Sequence, residues 1–290
     1  IHRKKLMDQD MNAFLKYQSQ LNEQFINTVD TSSFENLCDS HIQFFKNYIL
    51  PNFSYSEFSN RTQRAKNPLK LFEDLISYMA LYGLGHYQRM RAIFDHVQAQ
   101  SSFQLAQPVK ATIVDYGCGQ GIATLALLDH LIESKHHIKE LNIILIEPST
   151  MALERAIYWI NSKAQDAKIK INYTVHACNF DELDDDFLSC QHDYPYIHLF
   201  SNILDIYSTG TYSLYNLCQK ITNQLGDHFV FAVSPDFSSG NIGFDTFHQY
   251  LQPQKIFLNA QGNVEVEEFN LKAMNIHHRK AAVRAYASYI

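Results

Sequence analysis

The sequence predicts an α/β fold: a parallel sheet with helices on both faces, preceded by an N-terminal helical region. Three observations predict it. From Ile113 onward, apolar strand-like runs alternate with helical periodicities. The first four of these runs each end in a polar loop, so the loops gather at the carboxyl ends of the strands, where open α/β sheets bind ligands. The first 108 residues carry helical spacing instead.

The first strand and its exit are the most informative stretch. Ile113, Val114, Asp115 and Tyr116 lead into Gly117-Cys118-Gly119-Gln120-Gly121, and an apolar helical pattern runs from Ala123 to Leu131. This reads as strand, tight glycine turn and helix. Glycine lets the backbone turn sharply and lets a ligand approach without a Cβ in the way. The helix N-terminus then points its free N–H groups at whatever binds. A dinucleotide fingerprint, Gly-x-Gly-x-x-Gly, would place its third glycine at position 122, which is Ile122. No Gly-Lys-Ser/Thr follows, which excludes a P-loop. A glycine turn that binds nothing would show the same three residues, so the later elements matter.

The second strand, Leu141 to Ile146, ends in Glu147-Pro148-Ser149. Pro148 cannot continue a ladder, and Ser149 is a helix N-cap. A helix from Thr150 to about Lys163 follows, with Ala152, Leu153, Ala156, Ile157 and Ile160 on one face. An acid at the tip of a second strand accepts ribose hydroxyls in nucleotide-binding sheets. Lys170 to His176 is the third strand, and its exit is Ala177-Cys178-Asn179-Phe180-Asp181. The fourth, from Tyr196, leaves through Ser201-Asn202-Ile203-Leu204-Asp205. A helix from about Tyr212 to Leu225, a fifth strand from His228 to Pro235 and a helix near Phe244 to Leu251 complete the repeat. Lys255 to Asn259 and parts of Val264 to Ile276 are strand-like, with Phe269 to Ile276 the expected final antiparallel strand. Lys280 to Ile290 reads as strand or helix.

Asp115 followed by Gly-x-Gly-x-Gly, with Glu147 in register, resembles motif I and the second-strand acid of class I S-adenosylmethionine-dependent methyltransferases. The resemblance covers about residues 109 to 260 and implies a Rossmann-like sheet. It implies S-adenosylmethionine as cofactor and S-adenosylhomocysteine as product. Carried onto this chain, it implies cofactor contacts from Asp115, Gly117, Gly119, Gly121, Glu147 (ribose) and Pro148. It puts the adenine beside Asn179 and Phe180, with Asp181 as a rival, and the transferable methyl near Ser201. Methyltransferases acting on adenine or cytosine rings often carry Asp/Asn-Pro-Pro-Tyr/Phe at the fourth strand. This chain has Ser201-Asn202-Ile203-Leu204 there, which counts against that type.

The resemblance also implies a lid or substrate-binding cap for residues 1–108, ahead of a methyltransferase domain at 109–290. Tyr82, Gly83, Gly85, His86 and Tyr87 suggest a break whose side chains close over the cofactor, with Tyr82 as a contact. Catalytic candidates are Asn202, to orient the acceptor, and Asp205, His86 and His198 as bases. The expected acceptor is a small molecule or a protein side chain. An RNA methyltransferase that holds its substrate with the helical region, and a non-catalytic sensing or interaction module, remain open.

Charge and cysteine usage narrow the classes. Of the net −6, residues 1–110 contribute +2 and the rest −8. An acidic sheet half is poorly suited to tracking a phosphate backbone, so nucleic acid is disfavoured. Arg61, Arg64, Lys66 and Lys70 form one small basic cluster. Five cysteines without Cys-x-x-Cys spacing, and scattered histidines, predict reduced thiols in a cytoplasmic setting and no metal site. No apolar run approaches the roughly 20 residues that span a bilayer. Nothing in the sequence demands an oligomer, although a homodimer through the helical region is compatible with it.

Overall fold

The computed structural model describes residues 2–63, 66–100, 103–188, 194–206 and 211–290, and the side chains of these except 2–12 and 211–213. The chain divides into two compact units, Ile1–Gly83 and Leu84–Ile290.

The first unit is helical. It comprises α1 (His2–Ile26), α2 (Phe34–Phe44), α3 (Tyr55–Thr62) and α4 (Phe72–Tyr78). Ser33 and Ser54 cap α2 and α3 by accepting the backbone N–H groups of Asn36 and Glu57. The core of this unit gathers Phe25, Phe34, Leu37, Ile42, Phe45, Phe58, Leu75 and Met79, all buried. The apolar stripe of α2 runs on through a π-helical stretch, Phe45–Ile49, and a 3-10 turn that contains Pro51.

The second unit is a seven-stranded sheet with helices. Its strands are β1 (Val109–Tyr116), β2 (Ile138–Ile146), β3 (Lys170–His176), β4 (Tyr196–Ser201), β5 (His228–Pro235), β6 (Lys255–Asn270) and β7 (Asn275–Tyr289). The spatial order is β3-β2-β1-β4-β5-β7-β6. Strands β1 to β5 are parallel, and β7 enters antiparallel between β5 and β6. The order reverses between β1 and β4, which is the topological switch point of such a sheet. The helices are α5 (Leu84–Ala99), α6 (Ile122–Glu133), α7 (Thr150–Asp166), α8 (Thr211–Asn223) and α9 (Ser238–Leu251).

Alternation along β1 sorts the two faces. Asp115 meets Thr124 of α6. Val114 and Tyr116 join a core with Phe200 of β4, Leu217 and Ile221 of α8 and Phe247 of α9. Strands buried on both faces read as continuous apolar runs, which is why β1, β2 and β4 were visible in the sequence.

Three features differ from the sequence reading. The helical boundary expected at 108 falls earlier: α5 packs on the sheet unit, where Gln88 Nε2 donates to Glu267 (3.0 Å) and Arg89 to Glu268 (2.9 Å). The expected break at Gly83 and Gly85 is no break. Met79–Gly83 is a π-helical stretch that leads directly into α5. The two glycines serve close packing instead: a Cβ at Gly83 would lie 2.6 Å from Met79 Sδ, and one at Gly85 would lie 2.8 Å from Glu268 Oε1. Finally, the last strands form one long hairpin. Residues 271–274 are its turn, so Phe269 to Ile276 is no separate strand, and 280–289 lies within β7.

Candidate functional site

The exits of β1, β2, β3 and β4 all lie at the carboxyl edge of four adjacent parallel strands. The glycine turn is the centre of this edge. Gly117, Gly119 and Gly121 have φ of +62°, +51° and +80°, a region that side chains with a Cβ adopt at a cost. Their surroundings separate their roles. A Cβ on Gly117 would meet Ile203 Cδ1 at 2.7 Å, and one on Gly121 would meet Ala156 Cα at 3.2 Å. Both positions are filled by the protein itself. A Cβ on Gly119 would meet nothing within 4 Å, so Gly119 borders open space.

Glu147 closes the side of that space. It is half-buried. Its Oε2 accepts the Gly119 N–H (3.1 Å) and its Oε1 accepts the Ser149 N–H (2.9 Å). A carboxylate offers about four acceptor sites, so each oxygen keeps one for a ligand. Burial pushes the Glu147 carboxyl above its usual range, against the two backbone hydrogen bonds that favour the charged form. Pro148 follows the end of β2 at Ile146, and Ser149 caps α7 by accepting the Ala152 N–H.

Asp115 is 1% exposed. Its Oδ2 accepts both the Thr124 hydroxyl (2.7 Å) and the Thr124 N–H (3.2 Å). The carboxylate thus fixes the first turn of α6. Burial raises it to about 7, with the Thr124 bonds opposing and the charge of Glu147 adding. Thr124 is a residue that sequence reading passed over; its signal is a hydroxyl in the first turn of the helix after an acid-tipped strand.

The β3 exit departs from expectation. Phe180 is 3% exposed and belongs to the core beside Tyr116 and Phe187, so its ring is not open to an adenine. Asn179 is engaged in a capping box: Glu182 Oε2 accepts its N–H (2.8 Å) and its Nδ2 (3.1 Å). Asp181 is exposed.

At the β4 exit, Asn202 takes a left-handed φ of +56°. Its N–H donates to the Val233 carbonyl (2.7 Å), and its Nδ2 donates to Ser201 Oγ (3.0 Å). Its Oδ1 is buried without a hydrogen-bond donor, a condition that is uncommon and costly in folded proteins. Asp205 sits half-buried in the turn that follows.

Both histidines offered as bases are shifted toward the neutral form. Burial, with the charge of Arg89, lowers His86 to about 3, which leaves a neutral ring of little basicity near pH 7. His198 is fully buried and lies in a directed chain of hydrogen bonds. His228 Nε2 contacts the Gln224 carbonyl (3.0 Å), which can only accept, so Nε2 carries the proton. The neutral His228 ring then accepts at Nδ1 from His198 Nε2 (2.9 Å), and His198 Nδ1 accepts from the Tyr116 hydroxyl (2.9 Å). Burial foremost, then the neighbouring His228, lowers His198 below its usual value. All four ring nitrogens of His198 and His228 are used.

Tyr82 belongs to the helical unit, where its hydroxyl meets that of Tyr55 at 3.0 Å. The basic cluster is partly neutralised there. Arg61 is held by Asp74 through two bonds (2.8 and 2.6 Å), while Lys66 and Lys70 are exposed. Arg64 lies outside the described residues. Cys38, Cys118, Cys178 and Cys218 carry free thiols, and Cys190 lies outside the described residues. Among the described residues no helix is long and apolar enough to cross a membrane, and no group of three or more His, Cys, Asp or Glu could hold a metal.

No family model matches the chain, and no curated protein matches it. Several solved structures are remotely similar. SCL7 of Oryza sativa shares 12% identity over 94% of each chain, at a TM-score of 0.49. An arsenic(III) S-adenosylmethionine methyltransferase from Chlamydomonas reinhardtii shares 14% over 69% of this chain and 72% of that one, at 0.39. The C-terminal domain of precorrin-6Y C5,15-methyltransferase from Rhodobacter capsulatus shares 12% over 70% and 89%, at 0.39. At such distances the architecture stands on the chain's own strand order and register. By those, and by its left-handed glycine turn beside an acid-tipped second strand, this chain has a Rossmann-like α/β architecture.

Proposed function

We propose that the sheet unit binds S-adenosylmethionine at the carboxyl ends of β1, β2 and β4 and passes its methyl group to a small-molecule or protein acceptor. The observation that carries this reading is the open space at Gly119, bordered by a Glu147 carboxylate with one acceptor site left on each oxygen. A vicinal diol matches that pair of sites, and a nucleoside supplies one. The cofactor, when bound, supplies an electrophilic methyl on a sulfonium.

The chain's own residues have the remaining work. Gly119 leaves room for close approach to the backbone. Glu147 holds the ribose, and the Gly119 and Ser149 amides hold Glu147. Asn202 Oδ1 accepts an N–H or O–H of the methyl acceptor and so orients it, a role that its buried, undonated oxygen supports. Asp205, in the same turn, is the base for an acceptor that must lose a proton. In-line geometry and exclusion of water provide most of the acceleration for such a transfer.

Titration calorimetry with S-adenosylmethionine and S-adenosylhomocysteine tests the reading. Wild type is expected to bind, and Glu147→Ala to bind more weakly by about 1–3 kcal/mol, the range for polar groups left without partners. Folded wild type that binds neither compound overturns it.

A further inference from the structure

The helical unit contains a cavity of about 80 Å³ with an unusual lining. Three aromatic rings form its walls: Tyr17 from α1, Tyr48 from the π-helical stretch after α2, and Phe53. Two are pre-positioned from behind. Tyr48 packs on Phe44 at 4.5 Å between ring centres, and Phe53 sits between Phe45 (4.9 Å) and Phe58 (5.5 Å). Tyr17 and Tyr48 are each 44% exposed, so their surfaces reach solvent rather than closing a core.

The polar part of the lining is unbalanced. Glu57, Glu73 and Asp74 share the cavity with one cation, Arg61. Asp74 holds the Arg61 guanidinium by two bonds, while Glu73 is 3.9 Å from it. Asp74 and Arg61 neutralise each other, and Glu57 and Glu73 remain as excess negative charge. The Glu73 carboxyl is raised by burial first and by the charge of Asp74 second, with the charge of Arg61 and a Gln18 hydrogen bond opposing. A further cation would relieve this.

Aromatic side chains and an excess of carboxylates around a small space are the recognition chemistry of ammonium ions. Ring faces carry negative potential, and desolvated cations bind over them. The cavity opens to solvent and has room for a small cationic head group. We propose that this cavity binds an organic ammonium head group, between the rings of Tyr17, Tyr48 and Phe53 and against Glu57 and Glu73. The lining residues all belong to the helical unit.

The test is a titration of the full chain with tetramethylammonium chloride, followed by amide chemical shifts, against sodium chloride at equal ionic strength. Saturable shifts centred on residues 48–57 and 73–77 are expected with tetramethylammonium and not with sodium. Glu73→Gln and Tyr48→Ala should each weaken binding at least fivefold; Glu57→Gln, at an exposed position, serves if either fails to fold. A parallel titration with a trimethyllysine peptide separates the sources. Tenfold tighter binding of the peptide assigns the head group to a protein side chain, and equal binding assigns it to a free amine. Unsaturable shifts, an equal response to sodium, or unchanged affinity in the folded variants overturns the proposal.

Discussion

Gly119→Ala and Gly121→Ala make a paired experiment, because the two positions share a backbone conformation and differ in what surrounds them. Both glycines have positive φ, so an alanine at either costs about 1–2 kcal/mol for the left-handed region alone. At Gly121 the new methyl would also stand 3.1 Å from Ala156 Cβ, 3.2 Å from Ala156 Cα and 3.2 Å from Ile160 Cδ1. One of these atoms is backbone of α7, and overpacking of this kind adds about 1–3 kcal/mol. At Gly119 nothing lies within 4 Å, so the conformational cost stands alone. Gly119→Ala is therefore expected to lose about 1–2 kcal/mol in urea unfolding and Gly121→Ala about 2–5 kcal/mol. Cofactor binding should follow the opposite logic. The methyl of Gly119→Ala occupies the space assigned to the ligand, so S-adenosylmethionine affinity in calorimetry should fall at least tenfold in a protein that is still folded. If Gly119→Ala binds like wild type, the ligand does not approach the turn there. If it unfolds as readily as Gly121→Ala, the open space at Gly119 is not real.

Three further outcomes follow from the buried groups. The folded state holds Asp115 at about 7, well above its ordinary 3.8; the protonated form is favoured by folding, and stability from this group is lost as pH rises toward 7. Asp115→Asn should therefore gain on wild type by about 2–3 kcal/mol between pH 5 and 8, at about 1.36 kcal/mol per unit; an unchanged gap in urea midpoints refutes this. His198 has the opposite sign. Its folded value lies below 6.5, so its contribution is present above 6.5 and is lost as pH falls below it. His198→Phe should cost about 1–3 kcal/mol at pH 7.5 by stranding the Tyr116 hydroxyl and His228 Nδ1, and the gap to wild type should narrow as the pH is lowered to 5.5. Tyr87→Phe removes the hydroxyl that donates to buried Asp129 (2.8 Å) and accepts from Arg91. Urea unfolding should show a loss of about 1–2 kcal/mol, and none would mean that this link between α5 and α6 contributes nothing.

Much of the sheet unit was legible because its signals are local. β1, β2, β3, β4 and β5 match their apolar runs within a few residues, since a strand buried on both faces needs unbroken hydrophobicity. The glycine turn was legible because positive φ restricts residue choice. The end of the chain was not. A long hairpin that extends past β5 is only partly buried along β6, so its pattern weakens, and the turn at 271–274 has no glycine or proline to announce it. The glycines at 83 and 85 misled, because a helix uses glycine for close contact as readily as for a break, and only the neighbours Met79 and Glu268 distinguish the two.

The sequence by itself determined the order of elements, the acid-tipped second strand and the turn that must be glycine, because periodicity and backbone conformation are written within a few consecutive residues. The tertiary structure decided which polar side chains face the opening. Asp115 turns to Thr124, Phe180 enters the core, His198 is enclosed between Tyr116 and His228, and Glu147 is left beside Gly119. Those assignments depend on partners brought together from distant strands, and hydrogen bonding and burial are properties of the assembled neighbours rather than of any one segment.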